Sequence, residues 1–321
     1  MSGEGKPLEV IQASRVPIAE PESSPWLIEQ LWASQAVGVI GGSPKSCKSW
    51  LALEMAVSVA SGQPCLGRFE AIETGPVLIY AAEDSPRQVR GRLEGLCRAR
   101  GVDFSELDVH LILDPQLRLD VTEDQSRLRA ALEVRRPRLL VLDPFVRLHR
   151  IDENSAAEVS SLLADLRSWQ RSLGLAIVLV HHTKKSNGEA SGQALRGSGD
   201  LHAWGDSNLY VRKNGEDLTL AMEHRWARSG DPLTLRLVDA DGPPRLDLRP
   251  SSESEPDPPA PDLAVQVLAH LRSRGKPISQ EELRDALKIR NQRLTQILWE
   301  LRTADKVTRT PRGWAINGSA G

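Results

Sequence analysis

Lys48 and Ser49 are the residues from which to begin. They close the run Gly42-Ser43-Pro44-Lys45-Ser46-Cys47-Lys48-Ser49, within VIGGSPKSCKSW from Val39 to Trp50. The pattern GxxxxGK[ST] turns backbone N–H groups inward around phosphate, sends its Lys to the outer phosphates and places a hydroxyl on Mg²⁺. Every fixed point is present except the second glycine, which is Cys47. A side chain there can crowd the loop, or resist a backbone conformation that glycine adopts freely. It can equally be a small buried space-filler. A thiol beside Lys48 and a helix N-terminus is also a candidate for a lowered pKa, and so for redox sensing. Trp50 directly follows the motif and is counted with the candidate nucleotide-binding residues.

Further residues with chemistry stand at the ends of other apolar runs. RLLVLD ends in Asp143, a carboxylate placed to hold Mg²⁺ through its water shell. YAAED brings Glu83 to a strand end, where it is the candidate general base for an attacking water; Asp84 is the weaker alternative. VLVHHTKK carries His181 and His182, which as strand neighbours point to opposite faces, so that one can meet the γ-phosphate while the other packs. The Gly- and Ser-rich SNGEASGQALRGSGD contains Arg196, which could reach the nucleotide of a neighbouring subunit.

These residues need a sheet to bring them together. AVGVIGG (36–42), GPVLIYAAED (75–84), RLLVLDPF (138–145) and LAIVLVHHT (175–183) read as strands, and helix-like segments follow the first three. Short continuous apolar strands alternating with amphipathic helices predict a parallel sheet covered on both faces. Ser85 and Pro86 suit an N-cap and a first helical position. NLYVRK, DLTLAMEHRW and LTLRLVD read as hairpin-like strands extending that sheet.

The chain has 321 residues, 40% hydrophobic and 26% charged, which suits one sizeable core with a small second domain. No run approaches the roughly 18 apolar residues of a membrane span. The N-terminus has no apolar block before a cleavage site, so no signal peptide is expected. Cys47, Cys65 and Cys97 show no paired spacing, which predicts reduced thiols and a cytoplasmic location. The expected domains are an N-terminal arm (1–25), an α/β domain (26–242), a disordered Pro-, Ser- and acid-rich linker (243–261) and a C-terminal domain (262–318).

Net charge is −2, unevenly spread: from Asp262 onward 11 basic residues face 6 acidic ones. Two helix-like segments, DLAVQVLAHLRSRG and SQEELRDALK, precede a third, NQRLTQILWELRTADK, and then VTRTPRGWAIN, which reads as a two-stranded wing. Ser279 with Glu282 has the spacing of a capping box. This resembles a winged helix-turn-helix, with Arg290, Asn291, Gln292, Arg293, Thr295 and Gln296 on the groove-facing helix. A small helical domain that binds protein is the other reading.

Taken as a set, GGSPKSCKSW, VLIYAAED, LLVLD, IVLVHHTKK and ALRGSGDL resemble the RecA-fold ATPases of the RepA-type hexameric replicative helicases and their AAA-family relatives, over roughly Leu31 to Asp241. The resemblance implies a RecA-like P-loop NTPase core with a mostly parallel sheet, plus a small C-terminal winged-helix domain. It implies ATP and Mg²⁺ as ligands, with Lys48 and Ser49 on phosphate and metal, Asp143 as the Walker B acid, Glu83 as the catalytic carboxylate and His182 as γ-phosphate sensor. Arg196 would be the arginine finger, and Arg225 and Arg228 would reach the neighbour's nucleotide. The channel loops would correspond to RLHRIDENSAAE and KKSNGEASGQ, making Arg150, Lys184 and Lys185 candidate contacts to single-stranded DNA. The implied partners are further copies in a ring, a hexamer by analogy, and DNA, with duplex at the winged helix. Two other functions remain open at this stage: an ATP-dependent DNA-binding switch without unwinding, and a non-catalytic interaction protein with a degenerate loop.

Overall fold

The structure, a computed structural model, describes residues 10–16, 24–153, 155–182, 199–239, 242–249, 263–287, 294, 297–298, 301–302, 304–310 and 313–317. The chain divides into two compact units, Met1–Ser251 and Ser252–Gly321.

In the first unit, a small hairpin of β1 (Trp26–Ile28) and β2 (Trp32–Ala33) leads into the main sheet. The elements then run β3 (Val37–Gly42), α1 (Lys48–Ser61), β4 (Val77–Ala81), α2 (Pro86–Arg100), β5 (Val109–Ile112), α3 (Thr122–Arg135), β6 (Leu139–Asp143), α4 (Ala156–Leu173) and β7 (Ala176–His182). They continue with α5 (Gly199–Trp204), β8 (Ser207–Asn214), β9 (Asp217–His224), β10 (Leu233–Val238) and β11 (Arg245–Leu248). The strands form one nine-stranded sheet in the order β11-β10-β9-β8-β3-β7-β6-β4-β5. All pairs from β8 to β5 are parallel, and β8 to β11 are joined antiparallel. The mostly parallel α/β architecture read from the sequence is present, and the three hairpin-like segments do extend the sheet as β8, β9 and β10.

The continuous apolar runs bury both strand faces. On β6, Leu139 and Val141 join the core under α1 and α2, whereas Leu140 and Leu142 join the core under α3 and α4. β7 repeats this split, with Ala176, Val178 and Val180 on one side and Ile177 and Leu179 on the other. A strand with two buried faces has no room for polar residues until its end, so its first polar side chains appear at the sheet's C-terminal edge.

Helix ends follow local chemistry. Ser85 Oγ accepts from the Gln88 N–H (3.3 Å), and Gln88 Oε1 accepts from the Ser85 N–H (2.9 Å), a capping box with Pro86 at the first turn of α2. α1 ends at Gly62, whose φ of 77° is left-handed. Two glycines of β3 serve a different purpose. A Cβ on Gly38 would lie 1.7 Å from the Ser207 carbonyl oxygen, and one on Gly42 would lie 2.3 Å from that of Val211. The backbones of β3 and β8 approach too closely there for any side chain.

A buried ion pair ties the covering helices to the sheet. Glu54 of α1 is 1% exposed and accepts from Arg100 of α2 at 2.6 and 3.4 Å. The same guanidinium donates to the Leu246 carbonyl of β11 at 3.0 Å.

Two parts of this unit differ from the sequence expectation. Arg245–Leu248 lies in the segment read as linker, 243–261, but pairs with β10 as β11 and buries Leu246. Its Pro- and acid-rich surroundings masked a four-residue strand whose alternate side chains pack. β5 and α3 lay in a stretch without a clear pattern: every β5 residue is half-buried, and α3 buries only Leu128 and Leu132. Within the arm, Ala13–Arg15 makes one 3₁₀ turn.

The second unit contains α6 (Leu263–Arg274), α7 (Gln280–Leu287) and an antiparallel pair, β12 (Val307–Thr310) and β13 (Gly313–Ile316). Ser279 and Glu282 form the expected capping box, with both backbone-to-side-chain bonds at 3.1 Å. Leu294, Ile297, Leu298 and Leu301 have the spacing of one helical face and pack with Val267, Leu271, Leu283 and Trp314. Ile278 exchanges backbone bonds with Trp314 (3.0 and 2.8 Å), adding a bridge to the pair. This small antiparallel sheet against helices is compatible with a winged domain. The groove-facing candidates Arg290, Asn291, Gln292, Arg293, Thr295 and Gln296 lie outside the described residues.

Candidate functional site

A cleft of about 360 Å³ opens where β3, β4, β6 and β7 end. The phosphate loop forms one wall. β3 stops at Gly42, five residues turn, and α1 begins at Lys48. Two loop residues adopt left-handed backbone, Lys45 (φ 61°) and Cys47 (φ 61°, ψ 24°). Left-handed residues interleaved with ordinary ones turn successive N–H groups toward a common centre, and the first turn of α1 adds its own free N–H groups. Buried Ser46 braces the turn by donating to the Ser43 carbonyl at 2.8 Å. Pro44 and Lys45 are exposed at the tip.

Lys48 is 4% exposed, and its Nζ donates to the Ser43 carbonyl at 2.7 Å. Burial pulls its pKa down to about 8, against the attraction of Asp143, Cys47 and Glu83. A desolvated ammonium held by one neutral carbonyl beside converging N–H groups fits a polyphosphate anion. At the cleft floor, burial raises Asp143 to about 6, opposed by a Ser49 hydrogen bond and reinforced by Asp84. A hydroxyl and a carboxylate in contact are a hard oxygen donor pair, which suits Mg²⁺.

Glu83 and His182 line the same cleft. Glu83 is half-exposed and accepts from Arg147 Nε at 3.0 Å. Asp84 is bound through both oxygens to Arg92 (2.5 and 3.1 Å), so its lone pairs are engaged and it is the poorer base. His182 has its basicity lowered by burial and then by Lys48, which favours the neutral ring. The two histidines diverge as neighbours on a strand must. His181 is buried, with its Nδ1 4.0 Å from Glu153, while His149 stacks on Phe145 at 4.5 Å and reaches the same carboxylate at 3.5 Å.

The structure thus brings together Lys45, Ser46, Cys47, Lys48, Ser49, Trp50, Glu83, Asp143 and His182 around one cleft, with Gly42, Ser43 and Pro44 in the loop that bounds it. It does not bring Arg225 there. Arg225 is half-exposed, donates to the Ala203 carbonyl and pairs with Asp206 at 3.3 Å. Arg228 is exposed, and so is Arg150, whose N–H donates to Asp120 at 3.1 Å. Arg196, Lys184 and Lys185 lie outside the described residues. Sequence reasoning missed Arg147 and Arg92. Both are ordinary arginines beside helical turns, and each meets its carboxylate only through folding.

One sequence expectation is overturned. Burial raises the Cys47 pKa, although Lys213 and Lys48 pull it down. A half-buried thiol pushed toward its neutral form does not serve as a low-pKa redox sensor. The backbone concern holds, since Cys47 stands in the left-handed region. That conformation costs an L-residue about 1–2 kcal/mol, partly offset because glycine is itself entropically unfavourable by about 0.5–1 kcal/mol. Cys47→Gly is therefore expected to stabilise the protein by about 1 kcal/mol, read as a raised Tm, with only a modest change in nucleotide affinity by calorimetry. A variant that gained nucleotide binding the wild type lacked would favour the degenerate-loop reading instead.

A family profile described as an AAA domain matches residues 6–188. Among solved structures, a helicase ATPase domain is similar, with 14% identity, a TM-score of 0.51, and coverage of 64% of this chain and 83% of that one. The RadB recombinase crystal structure gives 18% identity, a TM-score of 0.46, and coverage of 64% and 88%. The profile spans more than half of the chain and takes in the phosphate loop, Glu83, Asp143 and His182, which the RecA-like sheet gathers at one edge: the chain belongs to the AAA domain family and is an NTP-hydrolysing enzyme.

Proposed function

We propose that the chain is an oligomeric, ATP-hydrolysing motor that acts on DNA in the manner of the ring helicases it resembles. The observation that carries this reading is the cleft itself, where Lys48, Ser49, Glu83, Asp143 and His182 converge. In this mechanism, the loop N–H groups and Lys48 bind and orient the phosphates, replacing the Ser43 carbonyl as the ammonium's partner. Ser49 and Asp143 hold Mg²⁺, which supplies positive charge to the phosphoryl oxygens when bound. Glu83 takes a proton from the attacking water once it has left Arg147. His182, neutral at the end of β7, donates a hydrogen bond toward the terminal phosphate and reports its presence to the segment that follows.

Arg196 of a neighbouring subunit completes the site in this proposal, and Arg225 and Arg228 approach it from the same side. Arg150, Lys184 and Lys185 contact single-stranded DNA in the channel, and the basic C-terminal unit holds duplex. The assembly is a ring, a hexamer by analogy. No described helix is long and apolar enough to cross a membrane. The compact C-terminal unit favours one alternative, an ATP-dependent DNA-binding switch that does not unwind.

The test is ATPase rate titrated against protein concentration, with and without single-stranded DNA. Specific activity is expected to rise as the protein assembles and again when DNA is added. A rate per chain that stays flat under both changes would remove the motor reading. A strand-displacement assay separates motor from switch.

A further inference from the structure

The cleft has a second wall that the hydrolytic chemistry does not use. Trp50 follows Ser49 in the first turn of α1, and the Arg92 guanidinium carbon of α2 lies 5.4 Å from the Trp50 ring centroid. The same guanidinium is clamped edge-on by Asp84 through both nitrogens, at 2.5 and 3.1 Å. All three residues line the cleft that contains Lys48 and Glu83. The Arg92 and Asp84 side chains retain 27% and 26% exposure, so the platform is held in place without being closed over.

We infer that this Trp50–Arg92–Asp84 platform is the nucleobase site and that it selects adenine. The inference rests on the phosphate-loop reading above. A nucleotide whose phosphates sit in the loop carries its sugar and base past the first turn of α1, where Trp50 stands. Among the described residues lining the cleft, Trp50 is the one large aromatic. At 5.4 Å no base fits between indole and guanidinium, so the base stacks on the free face of Arg92, with Trp50 supporting the opposite face. Planar guanidinium stacks on bases of any kind, so stacking alone gives affinity without selection. Selection comes from Asp84. An ionised carboxylate only accepts, and each oxygen keeps lone pairs after bonding Arg92. It favours a base edge carrying an exocyclic amino group, as adenine does, over the carbonyl that hypoxanthine presents at the same position.

Titration calorimetry with ATP, ITP and inorganic tripolyphosphate tests this on the full chain. Wild type is expected to bind ATP about ten-fold more tightly than ITP or tripolyphosphate, the size of one good stacking or polar discrimination. Arg92→Ala should bring ATP down to the tripolyphosphate affinity while leaving tripolyphosphate binding unmoved. Arg92→Lys keeps the charge and loses the planar face, so it should fail in the same way; full retention by the lysine variant would overturn stacking. Asp84→Asn should abolish the preference for ATP over ITP. If the ratio of ATP to tripolyphosphate affinity is the same in wild type and Arg92→Ala, the platform is only a packing contact between α1 and α2 and the inference is wrong. A wild type that binds neither ATP nor tripolyphosphate refutes the phosphate-loop reading itself, and the inference with it.

Discussion

Glu83→Gln is expected to lower ATP hydrolysis by about a hundred- to ten-thousand-fold, the contribution of a positioned general base. Nucleotide affinity should stay close to wild type. The geometry separates the two effects. The phosphate-binding groups are the loop N–H groups and Lys48, and Lys48 bonds to Ser43 rather than to Glu83. The metal-facing pair is Ser49 and Asp143. Glu83 sits apart from both, half-exposed on Arg147, so replacing its carboxylate with an amide removes a proton acceptor and little else. Asp84 cannot substitute, because Arg92 engages both of its oxygens. The measurement is single-turnover hydrolysis alongside equilibrium binding. Turnover within a few-fold of wild type would strip Glu83 of its role, whereas loss of binding would place it among the ligand contacts.

Arg100→Ala is expected to destabilise the first unit by about 3–5 kcal/mol, the range for breaking a buried ion pair from one side. Removing the guanidinium strands Glu54, 1% exposed, in the core between α1 and α2, and also frees the Leu246 carbonyl of β11. For a domain of this size that corresponds to a Tm lower by roughly 10 °C. The pH dependence has a definite sign. Burial already raises the Glu54 pKa, and Arg100 is the main influence opposing it. Without Arg100 the folded-state pKa rises further above the unfolded value. A raised carboxyl contributes stability at low pH, where both states are protonated, and loses it as pH climbs through the folded pKa. The variant's deficit should therefore shrink in acid and widen toward neutrality. A melting curve shifted by less than about 2 °C at neutral pH would show that α1, α2 and β11 do not depend on this pair. Converting both residues to leucine should recover much of the loss, since a buried pair is often no better than apolar packing.

The positions of Lys48, Ser49, Glu83, Asp143 and His182 were legible in the sequence because each ends an apolar run or directly follows one. The run is a local signal, and the edge of a parallel sheet is where such ends meet. The partners that set their states were not legible. Arg147 on Glu83, Arg92 on Asp84 and Arg100 on Glu54 join residues 64, 8 and 46 positions apart, and nothing in an isolated arginine announces its carboxylate. β5 and β11 escaped for a related reason. Each is four residues long at an outer position of the sheet, with little apolar content of its own. The Cys47 thiol was misread because nearby cations are visible in the sequence whereas burial is not, and burial is the larger influence.

The two glycines expected in a phosphate loop turn out to be required for unlike reasons, and this governs how such a sequence can drift. At position 47 the requirement is torsional: a left-handed backbone, which cysteine accepts at an energetic cost that selection can tolerate. At position 42 the requirement is spatial, because a Cβ would fall 2.3 Å from the Val211 carbonyl of the adjoining strand, and no side chain is small enough. Lineages of this fold are therefore free to lose the second glycine and keep a working loop, but the first can change only if β8 moves with it. A motif search that weights the two glycines equally will discard functional members, and one that insists on the first and relaxes the second will find them.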